Sequence, residues 1–544
     1  MTGADLVITG ADVYCGSGAW ASAVAIRHGR IVAVGSETDV RAEVGAAADS
    51  LHLPGRLVLP GFQDAHVHPL LAGKARATLS LEAVSGRPDY LRAIADYVDD
   101  HPGTDWIVGH GWSMEHFPHG LPDKADLDAI APGRPVFLTS REYHTAWVNS
   151  TALERADITT STPDPWDGRI EHDPDTGEPS GVVHEGVVMT FLNKHIPTDS
   201  QADRRAWLLD AQEHLHSQGI TAWQDAWVSP QDFATYAELG ELGLLTGRVV
   251  ASLWWDRHRG MEQIEELVST RQRCSSLAEQ GLHASTVKIW LDGILDSQTG
   301  ALLEPYRHCR CKEHPSGLMY LERDHLLRAV TELDKRGFQA HFHAIGDRAV
   351  RCALDAVEAA LNANGPTDNR HHIAHLQLVH PSDIPRFAAL DVTATCQALW
   401  AQLEPQMEEI TLPALGKDRF GLQFPFASLA RTGGRLAMGS DWPVTTPNPL
   451  AQIEVALTRV DPSRRDDPPF RPDEALTLRT AIDAFTAGSA YVNHDDRDAG
   501  SIATGKRADL AILDRNVFSD GGREIADASV EFTLAAGRMV YENR

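Results

Sequence analysis

The amino-acid sequence predicts an α/β protein: a (β/α)8 barrel of the TIM type, with a composite β-sandwich formed by both chain ends and a large insertion after the first barrel strand. Three observations predict this class. Apolar strand-like runs alternate with amphipathic helical stretches through the centre of the chain, short alternating runs separated by glycine turns occupy both ends, and about 150 residues separate the first two barrel strands. A chain of 544 residues is too long for one ordinary core.

The two chain ends are predicted to form one domain, residues 1–58 together with 500–544. Strand-like runs occur at residues 5–8, 23–26 and 30–34, and the same pattern returns at 508–513 and 530–534. Neither end has enough apolar surface for a core of its own. We therefore expect the ends to pair beside the central domain.

The central domain, residues 59–499, contains the predicted barrel. Its first strand starts in the apolar run 57–59 and ends by presenting His66 and His68. The seven further strands are predicted at residues 219–223, 249–254, 286–290, 338–343, 372–375, 392–396 and 435–441. In barrels of this class the catalytic groups gather at the carboxyl ends of the strands.

The long interval after the first strand predicts an inserted subdomain at residues 72–205. It contains strand-like runs at 106–109 and 135–139 and a hairpin signal at 168–177. An insertion at this point leaves the barrel from its catalytic face. We therefore expect it to act as a lid and as a wall that sets substrate specificity.

Composition and charge limit the classes of partner that the chain is expected to bind. The chain carries 76 acidic and 49 basic residues, a net charge of -27, which argues against nucleic acid or an anionic membrane as partner because both are polyanions. No run of about 18 apolar residues occurs, and the first residues show no basic segment followed by an apolar run. Six scattered cysteines are typical of reduced thiols. A cytoplasmic protein is expected.

One tract contains residue types that bind metals, but their spacing does not match a common metal-binding motif. Metal-binding side chains occur close together in His308-Cys309-Arg310-Cys311 and again at His314. No CxxC pair accompanies the tract, and its surroundings indicate a loop. A further metal there is therefore the weaker interpretation.

The pair His66 and His68 is the first candidate for metal binding. Because side chains alternate along a strand, the two imidazoles point the same way and provide half of a metal site. The pattern alone is weak, since 26 histidines are present and the same spacing occurs at 214–216 and 341–343. Further ligands have to come from elsewhere in the chain.

Successive predicted strand ends carry residues that bind or serve a metal. The candidate ligands are His66, His68, Lys288, His343, His375 and Asp441. Ordinary alternatives exist, since Lys288 could pair with Asp292 inside the barrel and Asp441 could cap a turn. The neighbouring His341, His371 and His372 are expected to support the ligands or to pack. The joint placement at strand ends favours a metal site.

Six motifs extend over nearly the whole chain. They are Leu59-Pro60-Gly61-Phe62 followed by Asp64, His66 and His68; residues 127–136 with His144 and Trp147-Val148-Asn149-Ser150; Val287-Lys288-Ile289-Trp290-Leu291-Asp292-Gly293; His343-Ala344-Ile345-Gly346-Asp347; Ile373-Ala374-His375; and Gly439-Ser440-Asp441. Together they resemble the amidohydrolase superfamily of metal-dependent hydrolases, within it the family 3 branch that includes N-substituted formamide deformylases. The chain departs from the branch at Ala374, where Glu is frequent.

The resemblance implies a site for two zinc ions, with a single-ion site as the alternative. His66, His68 and Asp441 would bind a more buried ion, and His343 and His375 would bind a second. Lys288 would bridge the two ions as an N6-carboxylated lysine. A carbamate presents two anionic oxygens, whereas an unmodified lysine is a poor ligand.

These features predict hydrolysis of a non-peptide C–N bond by metal-activated hydroxide. Zinc lowers the pKa of a bound water to about 7, which makes hydroxide available at neutral pH. Asp441 is expected to take a proton from the attacking water and return it to the leaving nitrogen, because an amide anion is a very poor leaving group. His144 is a candidate donor to the developing oxyanion.

The substrate is expected to be a small amide with an apolar or aromatic amine part. His144, Trp112, Trp290 and Asp292 are the residues predicted to contact it. An N-substituted formamide or a similar secondary amide is the first choice. The alternatives are a cyclic amidase or a deaminase of an aminated heterocycle and, from another class, a non-catalytic metal-stabilised binding protein. The resemblance also implies a homodimer.

Overall fold

The computed structural model describes residues 5–45, 49–309 and 313–543. The strands, in chain order, are β1 (Leu6–Gly16), β2 (Ala19–Arg27), β3 (Arg30–Gly35), β4 (Asp49–His52), β5 (Leu57–Pro60), β6 (Phe62–Val67), β7 (Leu79–Ser80), β8 (Ile107–Trp112), β9 (Val136–Ser140), β10 (Thr145–Val148), β11 (Gly168–His172), β12 (Pro179–Glu185), β13 (Ile220–Val228), β14 (Arg248–Trp254), β15 (Leu282–Trp290), β16 (Gln339–Ala344), β17 (His372–His375), β18 (Thr393–Cys396), β19 (Leu436–Met438), β20 (Leu510–Leu513), β21 (Val530–Ala535) and β22 (Arg538–Glu542).

The α-helices, in chain order, are α1 (Glu37–Val44), α2 (Pro69–Ala77), α3 (Arg87–Asp100), α4 (Lys124–Ile130), α5 (Ser150–Arg155), α6 (Gly186–Thr190), α7 (Gln201–Ser217), α8 (Pro230–Glu241), α9 (Gln263–Cys274), α10 (Arg323–Lys335), α11 (Asp347–Asn364), α12 (Ile384–Ala389), α13 (Leu412–Leu415), α14 (Lys417–Phe420), α15 (Phe426–Arg431), α16 (Pro449–Thr458), α17 (Leu478–Asp483) and α18 (Ser489–Val492). Within the described residues, three segments wind as π-helix: Phe191–His195, Met407–Thr411 and Ala484–Gly488. No helix in the described ranges combines the length and the apolar character that crossing a lipid bilayer requires.

The predicted (β/α)8 barrel is confirmed. Strands β6 and β13 to β19 form one sheet in chain order, and every neighbouring pair within it is parallel. The sheet closes just beyond its last strand, where the Asp441 N–H donates to the His66 carbonyl oxygen at 2.8 Å and the His68 N–H donates to the Trp442 carbonyl oxygen at 2.9 Å. The closing seam therefore lies at the carboxyl ends of the first and eighth strands.

The first predicted barrel strand was wrong in extent, because it contains two strands of different sheets. β5 pairs with β1 and β20 in the flanking sheet, whereas β6 alone belongs to the barrel. Leu57 and Leu59 pack into the barrel core and Val58 into the core of the flanking sheet. Alternation along a strand sends neighbouring side chains to opposite faces, so one apolar run serves two cores.

The chain ends share one flanking sheet of eight strands, in the order β22-β21-β20-β5-β1-β2-β3 with β4 paired to β1. Beyond β3 the sheet curls back on itself. The Ile31 N–H donates to the Lys506 carbonyl oxygen, and the Ala508 N–H donates to the Gly29 carbonyl oxygen, both at 2.9 Å. The two faces of the predicted sandwich are therefore parts of one curled sheet around a shared apolar core.

The insertion between β6 and β13 contains its own six-stranded sheet, in the order β11-β12-β10-β9-β8-β7. Two apolar clusters pack on this sheet, and the barrel core is a separate cluster. The predicted boundaries at residues 72 and 205 fall inside α2 and α7, which pack against each other beside the barrel. The domain limits remain a prediction.

Candidate metal centre

Three of the predicted ligands meet at the seam of the barrel. The Nε2 atoms of His66 and His68 each lie 3.1 Å from Oδ1 of Asp441. The His66 side chain is 1% exposed and the Asp441 side chain 8%, so the group is shielded from bulk water. Among the residues that the structure describes, this trio is the tight cluster of metal-binding side chains. Two imidazoles and a carboxylate are typical zinc ligands.

The backbone around Asp441 explains the Gly439-Ser440-Asp441 motif. A Cβ atom at Gly439 would lie 2.6 Å from the Cβ of His66, so only glycine allows the eighth strand to approach the first. The Ser440 N–H donates to the buried Asp64 carboxylate at 3.1 Å, and Asp441 has a φ of 56°. A non-glycine residue rarely adopts this left-handed conformation unless its surroundings hold it there.

Lys288 projects from β15 into the same site. Its Nζ lies 3.4 Å from Nε2 of His66. Burial lowers the pKa of this amine to about 7, and the nearby Asp441 and Asp225 charges only partly oppose the shift. A substantial fraction of Lys288 is therefore neutral near pH 7, and a neutral amine is the form that reacts with carbon dioxide.

His343 and His375 form the other half of the site. Their ring centroids lie 4.4 Å apart, and the His375 ring stacks on Trp400 at 5.2 Å. Both ring nitrogens of His375 are buried without a hydrogen-bond partner among the described residues. Buried polar atoms are nearly always satisfied, so two orphaned imidazole nitrogens indicate a missing ligand such as a metal ion.

His341 orients the first ligand. Its Nε2 lies 2.7 Å from Nδ1 of His66, and its Nδ1 lies 3.1 Å from Oγ of Ser252. This contact turns Nε2 of His66 toward Asp441. A second hydrogen bond to a ligand imidazole fixes its ring and tautomer in metal sites.

The electrostatics suit a cation. Burial lowers the pKa of His66 to about 3, and burial also lowers the pKa values of His343 and His375 well below the usual range. All three imidazoles are therefore neutral at neutral pH, the form that binds metal. Burial opposes ionisation of Asp441, but His66 and His68 outweigh it and hold its pKa well below the ordinary value. The donor set fits a divalent zinc ion.

His144 comes from the insertion and faces the barrel site. Its ring centroid lies 5.4 Å from that of His343 and 5.0 Å from that of Trp290. The His144 Nδ1 lies 2.9 Å from the buried Glu185 carboxylate, which raises the histidine pKa although burial opposes the shift. Glu185 was not anticipated from the sequence, because its partner is 41 positions away in the chain. Their pairing depends on the fold of the insertion.

Two of the predicted substrate contacts do not reach the cavity. Trp112 is fully buried in the core of the insertion, where its Nε1–H donates to the Leu138 carbonyl oxygen at 2.8 Å. Asp292 is fully buried, and its carboxylate accepts backbone N–H bonds from Ala301, Ile345 and Gly346 at 2.8–3.0 Å. Asp292 thus holds the loops behind His343 and does not pair with Lys288. Buried donors of this kind satisfy the carboxylate without a substrate.

The cavity over the site has two lobes that share Glu142, His144, His343, His375, Asp441 and Val444. The aromatic lobe, about 670 Å³, is named for three tryptophans on its wall, Trp227, Trp254 and Trp290. The aliphatic side chains of Leu71, Met189 and Leu192 also line it. The acidic lobe, about 680 Å³, is named for the charged and amide side chains on its wall: Arg141, Glu142, Asp296, Gln377, Glu404 and Gln406. The predicted contacts of Trp290 and His144 with the cavity fit this geometry.

The structure describes only part of the tract at residues 308–314, which was the weaker candidate for a further metal. Arg310 and Cys311 fall outside the described residues, together with Lys312. Cys309 lies next to that gap and is half-buried. A further metal there stays a prediction.

Comparison with known proteins places the sequence in a defined group. A sequence profile described as the amidohydrolase family matches residues 52–541. The chain is 30% identical to Protein LONG AFTER FAR-RED 3 of Arabidopsis thaliana, over 99% of this chain and 92% of the relative. It is 27% identical to an N-substituted formamide deformylase of Arthrobacter pascens, over 99% of this chain and 98% of that enzyme.

Solved structures share the fold. An uncharacterised metal-dependent hydrolase from Pyrococcus horikoshii OT3 superposes with a TM-score of 0.71 at 23% identity, covering 95% of this chain and 99% of the other. At this identity the likeness concerns the fold alone.

Proposed function

The chain belongs to the amidohydrolase family of metal-dependent hydrolases, and from that premise we propose that it hydrolyses the C–N bond of a linear secondary amide whose amine part is apolar or aromatic. The observation that carries the proposal is that the candidate metal ligands His66, His68 and Asp441 at the barrel seam line the aromatic lobe. N-substituted formamides are the simplest members of this substrate class. The family and the fold account for the hydrolase chemistry, and the lobe supports the choice of substrate.

We propose that the site holds zinc, with His66, His68 and Asp441 around one ion and His343 and His375 around a second. Lys288, neutral in a large fraction at pH 7, would be carboxylated and would join the two positions. The short approach of Lys288 to His66, 3.4 Å, supports this arrangement. When bound, zinc lowers the pKa of a coordinated water to about 7.

The chain's own residues supply the proton transfers. Asp441 is ionised and lies where it meets both His66 and His68, so its free oxygen accepts a proton from the attacking water. The same carboxyl group then donates that proton to the leaving nitrogen, which would otherwise depart as an amide anion. Proton transfer by a positioned carboxylate contributes about 10²- to 10⁴-fold to such reactions.

His144 is proposed to stabilise charge on the carbonyl oxygen. Glu185 accepts from its Nδ1 and raises its pKa, so Nε2 carries a hydrogen that points away from Glu185. The His144 ring borders both lobes and faces His343. A preoriented donor at the position where negative charge develops lowers the barrier to hydrolysis.

The aromatic lobe is proposed to bind the amine part. Trp227 and Trp254 face each other with ring centroids 5.0 Å apart, and Trp254 lies 5.9 Å from Trp290. Such a wall favours a flat apolar group such as benzyl through burial and ring contacts. The Arthrobacter relative is named as an N-substituted formamide deformylase, which supports testing formamides first.

The test is the release of formate and of benzylamine from N-benzylformamide by zinc-loaded protein. Both products are expected in equal amounts, and treatment with a chelator should abolish their release until zinc is restored. A His68→Ala variant should be inactive, whereas His101→Ala, at an exposed position in the insertion, should be active. Intact N-benzylformamide in the presence of metal-loaded protein would exclude formamides as substrates. Failure of longer linear N-benzyl amides as well would refute the linear-amide proposal and would move the search to cyclic amides and aminated heterocycles.

We also propose that the enzyme is a homodimer and is located in the cytoplasm. Both features follow from the resemblance and the composition of the sequence. Sedimentation of the purified protein and fractionation of the source cells test them.

A further inference from the structure

A formamide substrate has no group that would occupy the acidic lobe. A formamide bears a hydrogen on its carbonyl carbon, so its single substituent fills the aromatic lobe and leaves the second lobe without an occupant. Yet the two lobes are of similar size and meet at His144, His343 and Asp441. A reacting carbonyl placed at this junction has room for a substituent on each side.

The wall of the acidic lobe carries an excess of negative charge. It presents the carboxylates of Glu142, Asp296 and Glu404 against the single guanidinium of Arg141. Arg141 already binds Glu404 at 2.8 Å and lies 3.8 Å from Glu142. Burial is the main cause that raises the pKa of Asp296 to about 6, and the nearby Glu142 and Glu404 charges add to the shift.

Acceptor atoms on the wall lack donors. Gln406 is only 3% exposed, and its Nε2 donates to Oε1 of Glu142 at 2.9 Å, which fixes the orientation of the amide. The opposite atom, Oε1 of Gln406, is buried without a partner among the described residues, as is Oε2 of Glu142. A buried acceptor without a donor destabilises the protein, so these atoms point to a ligand that donates.

Most of the remaining lining of the acidic lobe is apolar. It comprises Ile294, Ile345, Trp400, Met407 and Phe424, with Thr445 as the polar exception. A short alkyl chain packs on such side chains, and an ammonium group at its end reaches the acceptors.

We propose that the acyl part of the natural substrate is a short alkyl chain that ends in an ammonium group and binds in the acidic lobe. This inference rests on the proposed function, because it assumes that the amine part occupies the aromatic lobe. It changes the substrate from a formamide to an aminoacyl amide of an apolar amine. Glu142, Asp296 and Gln406 are then the residues that set acyl specificity.

The test compares four N-benzyl amides on the zinc-loaded protein at pH 8, where Asp296 is ionised. They are N-benzyl-β-alaninamide, its neutral isostere N-benzylbutanamide, the anionic N-benzylsuccinamic acid and N-benzylformamide. Benzylamine release measures all four. We expect kcat/KM for the cationic substrate to exceed that of the neutral isostere by about tenfold or more, the effect of one charge-assisted hydrogen bond, with most of the difference in KM.

Variants locate the effect. Glu142→Gln and, independently, Asp296→Asn should each reduce the ratio of cationic to neutral kcat/KM toward one. Glu408→Gln makes the same chemical change at an exposed position close to Gln406 in sequence and should leave the ratio unchanged. Zinc content and circular dichroism of each variant verify that the protein is folded.

The outcomes separate the two proposals. The protein could release benzylamine from the formamide or the butanamide and show no higher kcat/KM for the cationic substrate. That result would overturn the acyl inference and would leave the proposed function standing. Preference for the succinamic acid also overturns it. No benzylamine from any of the four overturns the proposed function, and the inference falls with it.

Discussion

The backbone N–H of Asp441 donates a 2.8 Å hydrogen bond to the carbonyl oxygen of His66, and the side chains of the same two residues approach to 3.1 Å. One contact closes the barrel between its eighth and first strands, and the other brings the three candidate metal ligands together. The candidate site is therefore built by the closure of the barrel, and two predicted ligands that lie 375 positions apart in the chain are fixed by the backbone of both strands.

Asp441→Asn tests the proton transfer. The amide is nearly isosteric with the carboxylate but does not accept the proton, so turnover of N-benzylformamide should fall by about 10²-fold or more. Zinc analysis distinguishes loss of chemistry from loss of metal. Asp418→Asn, at a side chain that is 95% exposed, provides the control. Near-normal turnover by Asp441→Asn would assign the proton transfer to another group.

His341→Ala tests the positioning of His66. Loss of the contact to Nδ1 frees the imidazole ring to rotate, so zinc affinity should fall by about 10- to 100-fold. Competition with a chromogenic chelator measures this without any substrate. His101→Ala should bind zinc like the parent protein, and equal affinities of all three proteins would show that His341 only packs.

Carboxylation of Lys288 predicts a pH dependence of reconstitution. With a pKa of about 7, about 90% of the amine is neutral at pH 8 and about 10% at pH 6. At a fixed concentration of dissolved carbon dioxide, the recovery of activity after zinc addition should therefore be about tenfold faster at pH 8. The low pKa of His66 keeps that ligand neutral at both values, so its titration does not produce this effect.

The control for that experiment removes the amine. Lys288→Ala should show no response to carbon dioxide, and mass spectrometry of the parent protein at pH 8 should detect the added carboxyl group. Recovery that is equally fast without carbon dioxide would exclude the carbamate.

Trp254→Ala tests the aromatic lobe. Loss of the indole opposite Trp227 should raise KM for N-benzylformamide by about tenfold, because ring contact and burial are lost together. KM for N-methylformamide should change little, since a methyl group does not reach that wall. Trp166→Ala removes a half-exposed indole elsewhere in the insertion and serves as the comparison. If KM rose by the same factor for both substrates, the benzyl group would bind outside the lobe.

Trp112→Phe tests the corrected role of that residue. The variant loses the hydrogen bond to the Leu138 carbonyl oxygen inside the insertion, so the free energy of unfolding should fall by about 1–3 kcal/mol. KM for N-benzylformamide should stay unchanged, because the indole lies in a core and not at the cavity. Denaturant titration and steady-state kinetics measure the two quantities, and a raised KM with normal stability would restore the original prediction.

The sequence by itself determined the barrel and its candidate ligands. Apolar runs and turn residues are local patterns, so each strand was predictable from a segment of a few residues, and the family resemblance helped to set their number at eight. A ligand at a strand end is equally local, because parallel strands bring their carboxyl ends to one face wherever each strand begins. For this reason His343, His375 and Asp441 could be grouped before their distances were known.

Only the tertiary structure decided which side chains face the cavity. Trp112 and Trp290 looked alike in sequence, yet one packs inside the insertion and the other lines the aromatic lobe. The acidic lobe combines the insertion with the loops that follow the five barrel strands β15 to β19, and Glu185 on β12 meets His144, which lies just before the neighbouring strand β10. Such contacts join residues far apart in the chain, and their distances are set by packing of whole elements, which no local pattern encodes.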